Sequence, residues 1–195
     1  MSIVFNRTRF FSRYKEFFGP LSQSEVDGIS LLLKTFESSV LPFAERHIAY
    51  MLATVFHETG QAMTPVVEHG KLSYFNKYNG RGGNSAPDDG FRYRGRGYVQ
   101  LTFKDNYKHA GEKLSVDLVG HPDLALAADV AGKILTVGMW EGWFTGKSLQ
   151  SCLPSSSQPD YFHARRIING MDRAQLISDE AAKFETILRY SATIT

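Results

Sequence analysis

A polar, glycine-rich segment interrupts a chain that otherwise shows the residue spacing of α-helices. It lies within residues 70–90 and contains "NGRGGNSAPDDG", a run of turn-forming residues that ends in Asp-Gly. Such a run predicts an ordered loop or a small hairpin. The alternating residues "YVQLT" that follow it, at 98–102, predict a short strand. This pattern constrains the chain to a mainly helical (α+β) domain with a small β or loop lobe.

Capping residues indicate where the helices before this segment begin and end. Gly19-Pro20 ends a first short helix. Ser22 and Glu25 form an S-x-x-E capping box, which predicts the start of a second helix. Pro42 predicts the first turn of a third helix.

Helical spacing resumes after the loop lobe. The predicted helical ranges are 105–111, 124–141, 161–168 and 173–190. Pro122 starts a turn before the second of them. Asp172, with Gln175 three residues later, gives the last helix a second capping-box pattern.

The charge balance and the cysteine content exclude several classes of function. With 22 basic and 20 acidic residues the net charge is +2, less than a dedicated nucleic-acid-binding protein usually carries. Cys152 is the single cysteine, so an internal disulfide and a cysteine-based zinc cluster are both excluded. It has no adjacent histidine, which favours a structural or surface thiol over a nucleophile. We see neither a secretory signal nor an apolar stretch long enough to cross a bilayer.

A glutamate continues the apolar stripe of the third helix. Met51, Val55 and Glu58 follow one another by helical steps, which predicts a half-buried carboxyl at the helix end. Burial disfavours the charged form of a carboxyl, which suits a general acid, although a solvated glutamate in a fraying turn fits the spacing as well. Glu68 follows ten residues later, and alone it is more typical of a surface charge. A helix-end acid with a loop-borne second carboxylate is the layout of a glycosidase.

The same region comes close to two other chemistries. His57-Glu58 begins like the zinc motif H-E-x-x-H, but Gln61 stands where the second histidine is needed. Since His69 is available as a distant ligand, a zinc peptidase or amidase stays a weaker alternative. The arginines and aromatic residues of "FRYRGRGYVQLT", at 91–102, suit either a single-stranded nucleic acid or a sugar groove.

Several motifs together resemble glycoside hydrolase family 19. They are "HETG" at 57–60, Glu68, "YRGRGYVQLTFKDNY" at 93–107 and "ARRIING" at 164–170. The resemblance is strongest to the phage and prophage endolysin branch, with class I plant chitinases as more distant relatives. "FFGPLSQSEVDGISLLL" near the start also resembles the lead-in of that branch. The resemblance implies a lysozyme-like fold with a substrate cleft between the helical body and residues 68–106.

The resemblance also implies roles for individual residues. Glu58 matches the family's general acid, Glu68 the base that activates water, and Thr102 a residue that helps to hold that water. The family inverts the anomeric configuration, which implies carboxyl groups about 6.5–9.5 Å apart. Arg94 and Arg96 are expected to be scaffold residues that bind carbonyl and carboxylate groups through the guanidinium fork. The substrate-binding candidates are Gln100, Asn106, Asn169, Tyr98, Tyr74 and His57.

These residues lead to a hypothesis about function. We expect one catalytic domain over 1–195, with a helical lead-in over 1–40 and a family-19-like core over 43–190. The expected reaction is inverting hydrolysis of the β-1,4 bond between N-acetylmuramic acid and N-acetylglucosamine in peptidoglycan, without a metal or organic cofactor. A chitinase that acts on polymeric N-acetylglucosamine is the alternative. A non-catalytic wall- or nucleic-acid-binding module is a further one.

The expected partner and setting follow from this hypothesis. Peptidoglycan glycan strands are the expected partner, with no nucleic acid and no stable membrane insertion, and a monomer is sufficient. The protein is expected to be cytoplasmic and to reach the cell wall after a holin opens the membrane. The segment after Glu68 departs from the endolysin branch because it is short and basic, where that branch often has an acidic or aromatic run. The plant relatives depend on disulfides that one cysteine cannot form, which favours a bacterial or phage origin.

Overall fold

The fold is mostly helical, as predicted, with a few small strands. The computed structural model describes residues 3–194, without the side chain at 194, so residues 1, 2 and 195 of the predicted domain lie outside the described residues. The described residues form two compact units. The first unit comprises those up to Thr64 together with those from Met139 onward, and the second unit is Pro65–Gly138. A single catalytic domain over the whole chain stays a prediction.

The elements follow one another along the chain with short connections. In chain order they are β1 (Ile3–Phe5), α1 (Arg7–Phe18), α2 (Gln23–Glu37), α3 (Glu45–Glu58), β2 (Val66–Val67), a 3-10 helix (Leu72–Tyr78), α4 (Asp89–Arg92), β3 (Arg96–Gly97), α5 (Lys104–Leu114), a 3-10 helix (Pro122–Leu126), α6 (Ala128–Glu141), α7 (Leu149–Cys152), α8 (Tyr161–Ala164), a 3-10 turn (Arg165–Ile167), α9 (Ala174–Ser191) and β4 (Ala192–Ile194). Strand β1 pairs antiparallel with β4, and β2 pairs antiparallel with β3. None of the helices in the described range is long and apolar enough to span a membrane.

The first unit is built around α3. All residues of α3 from His47 to Phe56 are buried, and α9 packs along this helix. Aromatic rings fill the space between α1, α3 and α9, where the Phe18 ring lies 4.9 Å from the rings of both Phe56 and Phe184. Phe56 and Phe184 are buried, and the full burial of such a ring contributes roughly 1.5–3 kcal/mol to folding. This core fixes the direction of the helix that ends at Glu58.

The second unit is held together by polar side chains inside its loops. Residues 70–90 form an ordered loop with a 3-10 helix rather than a hairpin. Asn84 donates to the carbonyl of Tyr78 and accepts from the backbone N–H of Lys104, both over 3.0 Å. Asp89 accepts from two consecutive backbone N–H groups, at positions 85 and 86. These bonds satisfy backbone groups that a loop leaves without partners.

The strand predicted over 98–102 is wrong. Residues 98–100 form a turn, in which Gln100 has a φ of 53°. Arg96 and Leu101 pair across this turn through backbone hydrogen bonds of 3.2 and 2.9 Å. A five-residue alternation does not separate a strand from a tight reversal, since both can bury the same apolar residues. Gln100 and Thr102 therefore do not alternate along one strand.

Three helix starts also differ from the prediction. Helix α6 begins at Ala128 rather than at residue 124, because a 3-10 helix occupies Pro122–Leu126. Helix α3 begins at Glu45, three residues after Pro42. Helix α9 follows Arg173, which has a left-handed φ of 58°, and no side chain caps it. The capping box predicted at Asp172 is therefore wrong. The backbone carbonyl of Asp172 instead accepts a hydrogen bond from Arg165, a contact that local sequence does not reveal.

Candidate active site

Glu58 is the last residue of α3, and a buried arginine holds its carboxyl group. Arg165 is 3% exposed and donates from Nη1 to Glu58 Oε1 over 2.9 Å. Its Nε donates to the carbonyl of Asp172 over 3.0 Å. The Glu58 side chain is 18% exposed, so the predicted half-buried carboxyl is confirmed. This carboxyl still reaches solvent.

A closed turn fixes the chain immediately after Glu58. The Thr59 hydroxyl donates to a carbonyl one helical turn back over 2.7 Å and accepts from the backbone N–H of Met63 over 3.1 Å. Gln61 and Met63 both adopt left-handed φ values, which only a well-packed turn sustains in residues other than glycine. Gly28 of α2 lies so close that a Cβ there would be 2.4 Å from the Met63 carbonyl oxygen. These contacts exclude a fraying last turn.

Two further candidates, His57 and Asn169, lie in the first unit. Burial lowers the pKa of the His57 imidazole, which favours its neutral form. The backbone N–H of Asn169 donates to the carbonyl of Arg165 over 3.1 Å, and the Asn169 side chain is exposed. Arg165 therefore connects the Glu58 carboxyl to the turn that carries Asn169.

Glu68 follows β2 in the second unit, and two donors hold its carboxylate. The Tyr78 hydroxyl donates to Oε1 over 3.0 Å, and the Gly95 N–H donates to Oε2 over 3.2 Å. The Glu68 N–H in turn donates to the Gly95 carbonyl over 2.8 Å, which extends the pairing of β2 with β3. Burial, assisted by the hydrogen bond to Glu68, raises the pKa of Tyr78, so its phenol stays a donor. A Cβ on Gly95 would lie 2.6 Å from Gln100 Oε1 and 3.3 Å from Glu68 Oε2, so a side chain at this position would displace both of those side chains.

Three predicted residues join into one hydrogen-bonded cluster beside Gly95. The Gln100 amide donates to the Val66 carbonyl over 3.1 Å. The Thr102 hydroxyl donates to the Gln100 carbonyl over 2.8 Å, and the Asn106 amide donates to the Thr102 carbonyl over 2.7 Å. All three side chains are half-buried, so each keeps polar atoms within reach of a ligand.

The two tyrosines predicted to contact sugar differ in exposure. Tyr98 is 2% exposed, and burial raises its pKa to about 12. A ring in that position offers no face to a sugar, so we remove Tyr98 from the candidate site. Tyr74 is 48% exposed, and the Lys77 ammonium lies 3.4 Å from its ring centroid. Tyr74 therefore stays a candidate, with one face occupied by a cation.

Arg96 acts as a scaffold residue, as predicted. It is 3% exposed, and its Nε donates to Asp123 over 2.8 Å. Its Nη1 donates to the carbonyls of Arg92 and Arg94 and to the Tyr107 hydroxyl, over 2.8 to 3.1 Å. The Arg96 guanidinium therefore links the residues just before β3 to Asp123, which lies in the segment after α5.

Sequence reasoning missed the residues that bind the two carboxylates. Arg165 lies within "ARRIING", and Tyr78 lies within the loop after Glu68. Neither segment indicates by its sequence which of its side chains binds a glutamate. Arg165 is 107 residues from its partner in the chain. Among the described residues there is no group of three or more His, Cys, Asp or Glu side chains arranged to hold a metal ion.

Comparison with solved structures identifies the class of fold. Chitinase C from Streptomyces griseus HUT6037 superposes with a TM-score of 0.57 at 20% identity, over 95% of this chain and 78% of that one. A bacterial family 19 chitinase superposes with a TM-score of 0.54 at 22% identity, over 94% of both chains. The chain therefore has the fold of these chitinases.

The family follows from the sequence comparisons. The model of the chitinase class I family, glycoside hydrolase family 19, matches residues 40–158, more than half of the chain. Chitinase 12 of Oryza sativa subsp. japonica is 34% identical over 53% of this chain, and basic endochitinase CHB4 of Brassica napus is 31% identical over 71% of it. This chain belongs to glycoside hydrolase family 19. The matched regions span 34% and 47% of those two relatives, less than half of their length.

Proposed function

We propose that this protein is an inverting glycoside hydrolase that cleaves β-1,4 bonds in a polymer containing N-acetylglucosamine. Glu58 protonates the glycosidic oxygen, and Glu68 removes a proton from the attacking water, which Thr102 helps to hold. The observation that carries this proposal is the different environment of the two carboxyl groups. A buried guanidinium binds Glu58, whereas a phenol and a backbone N–H bind Glu68. Two carboxyl groups in unlike surroundings can take unlike proton-transfer roles.

The finer proposal is that the polymer is peptidoglycan. It is supported by the resemblance of the lead-in, of "YRGRGYVQLT" and of "ARRIING" to the endolysin branch. Chitin is the second candidate, because the named relatives in the family are chitinases. If the substrate is peptidoglycan, the proposed biological role is cell lysis after a holin has released the protein through the membrane.

The first test is a digest of purified peptidoglycan, with the products reduced by borohydride and identified by mass spectrometry. We expect reduced muramic acid ends from the wild type and none from Glu58→Gln or Glu68→Gln. Glu45→Gln is the matched control, since Glu45 lies at the other end of α3. Near-wild-type cleavage by Glu58→Gln would show that the assigned acid is wrong.

Other products of the digest would change the proposal in defined ways. Reduced glucosamine ends would keep the acid and base but move the cut to the other glycosidic bond. Cleaved peptides on intact glycan would overturn the glycosidase assignment. Intact peptidoglycan, together with new reducing ends from colloidal chitin, would make chitin the substrate.

A further inference from the structure

The second unit contains a cavity of about 720 Å³ that the proposed reaction does not use. Phe91, Arg92 and Arg94 line one part of it, and the 3-10 helix that begins at Pro122 lines another. Leu124 contributes an apolar surface, since it is 40% exposed, and Phe91 is 38% exposed. The cavity therefore combines apolar walls with guanidinium groups.

Two of the three arginines in this lining keep hydrogen-bonding capacity. Arg96 is committed to Asp123 and to backbone carbonyls, as described above. Arg92 is exposed and uses only Nη2, on the carbonyls of Val119 and Gly120. Arg94 is half-buried and uses only Nη1, on the Phe91 carbonyl over 2.8 Å. Within the described part of the chain, the remaining N–H groups of Arg92 and Arg94 have no hydrogen-bond acceptor.

The charges around the cavity favour an anion. Three arginines face two aspartates in the lining, Asp88 and Asp123, and Asp123 is paired with Arg96. Burial, together with the neighbouring charge of Arg96, lowers the pKa of Arg94. The Arg94 guanidinium also stacks on the Phe91 ring, 4.0 Å from its centroid, which presents its free edge in a fixed direction. A planar fork held in this way suits a carboxylate.

One residue of the cavity lining is the chain neighbour of a residue that binds the proposed base. Arg94 directly precedes Gly95, whose N–H holds the Glu68 carboxylate. The Glu68 carboxylate also interacts electrostatically with the Arg94 guanidinium, so a polymer bound beside Glu68 passes near Arg94. Chitin is uncharged and has no such substituent, whereas the glycan strands of peptidoglycan carry short peptides with free carboxylates.

We propose that this cavity binds a carboxylate of the peptide attached to the glycan strand, through Arg94 and Arg92, while Phe91 and Leu124 contact the apolar part of that peptide. This inference rests on the proposed function, because it names the substrate feature that directs the same enzyme to peptidoglycan. It makes Arg94 and Arg92 determinants of specificity rather than catalytic residues.

The kinetic test compares peptide-bearing glycan strands with the same strands after the peptide carboxylates have been converted to amides. For Arg94→Gln and Arg92→Gln, we expect the ratio of kcat/KM on untreated to amidated strands to fall about tenfold, through KM. Arg94→Lys keeps the positive charge but loses the planar guanidinium fork. Its ratio of kcat/KM should lie between that of the wild type and that of Arg94→Gln. Arg81→Gln is the matched control, since Arg81 lies in the same unit outside the cavity lining. An unchanged ratio in both glutamine variants would overturn the proposal.

A binding test separates this proposal from the catalytic one and needs no variant. The full chain is titrated by calorimetry with N-acetylmuramyl-L-alanyl-D-glutamate and with the same molecule after both carboxylates are converted to amides. We expect saturable binding of the acid and at least tenfold weaker binding of the amide. Equal binding of the two, or no binding of the acid, would overturn the cavity assignment even if the enzyme cleaves glycan. Binding of the acid by a protein that cleaves neither polymer would keep the cavity and remove the proposed function.

Discussion

At the residue scale, Tyr78 acts through the carboxylate that it binds. Its hydroxyl is one of two donors to Glu68, and hydrogen bonds to charged groups contribute about 1.5–3 kcal/mol. If Glu68 is the base, as proposed, we expect Tyr78→Phe to lower kcat about tenfold or more with little change in KM, because the proposed base loses its orientation while the substrate contacts stay. Steady-state kinetics on soluble glycan strands measures both constants.

The neighbouring tyrosine on the same 3-10 helix provides the control for this prediction. Tyr74 is exposed and contacts Lys77 rather than a carboxylate, so Tyr74→Phe should leave kcat within about twofold. An equal loss in both variants would mean that the 3-10 helix, and not the hydrogen bond, supports activity.

Arg165 and Glu58 form a pair whose coupling is measurable. Removing the charge of one partner leaves the charged side chain of the other partner without its ion pair. Each single change to Gln should therefore lower the free energy of unfolding. Arg165→Gln should cost about 2–4 kcal/mol and Glu58→Gln less, since Glu58 is partly exposed. The double variant should lose less than the sum, with a coupling of about 1–2 kcal/mol. Urea unfolding of the four proteins gives this value, and strict additivity would contradict a direct interaction.

At the element scale, α2 begins with two reciprocal hydrogen bonds. Ser22 accepts from the Glu25 backbone N–H, and the Glu25 carboxylate accepts from the Ser22 N–H over 2.7 Å. We expect Ser22→Ala to lower the free energy of unfolding by about 1 kcal/mol, as for other capping residues. Ser24→Ala, at an exposed position in the same turn, should change it by less than about 0.5 kcal/mol. If the two variants unfold alike in urea, the cap makes no contribution.

The two predicted capping boxes show which elements local sequence can predict. The box at Ser22 is correct because all its partners lie within one turn of helix. The box at Asp172 fails because Arg165, a distant side chain that also binds Glu58, takes the Asp172 carbonyl and shapes the chain before α9. The strand at 98–102 fails for a related reason, since Gln100 turns back to bond with the carbonyl of Val66.

At the scale of the whole molecule, a buried glutamate of α9 makes stability depend on pH. Glu180 is 8% exposed, and within the described residues its Oε2 has no hydrogen-bond partner. Burial raises its pKa from 4.5 to about 7. Between these two values the folded protein retains a proton that the unfolded chain has lost. Stability therefore falls as the pH rises from 4.5 to 7 and levels off above 7.

Glu180→Gln should remove this dependence. At pH 8 we expect the free energy of unfolding of the variant, measured with urea, to exceed that of the wild type by on the order of 2–3 kcal/mol. At pH 4.5 we expect the two proteins to have similar free energies of unfolding. Glu112→Gln, at an exposed position of α5, should show no such pH-dependent gain. A constant difference between wild type and Glu180→Gln from pH 4.5 to 8 would contradict the assignment.

The sequence by itself determined the helical class, the order of the main helices and the motifs of family 19, and it made a half-buried Glu58 one of the two positions that helical spacing allows. These depend on periodicity, on caps and on short motifs, all of which act over a few neighbouring residues. The tertiary structure decided that Arg165 and Tyr78 hold the two glutamates, that Tyr98 is buried, and that Arg92 and Arg94 line a cavity with N–H groups that have no acceptor among the described residues. Each of these depends on contacts made when distant segments pack together, and a side chain's partner across such a contact leaves no local signal in the chain.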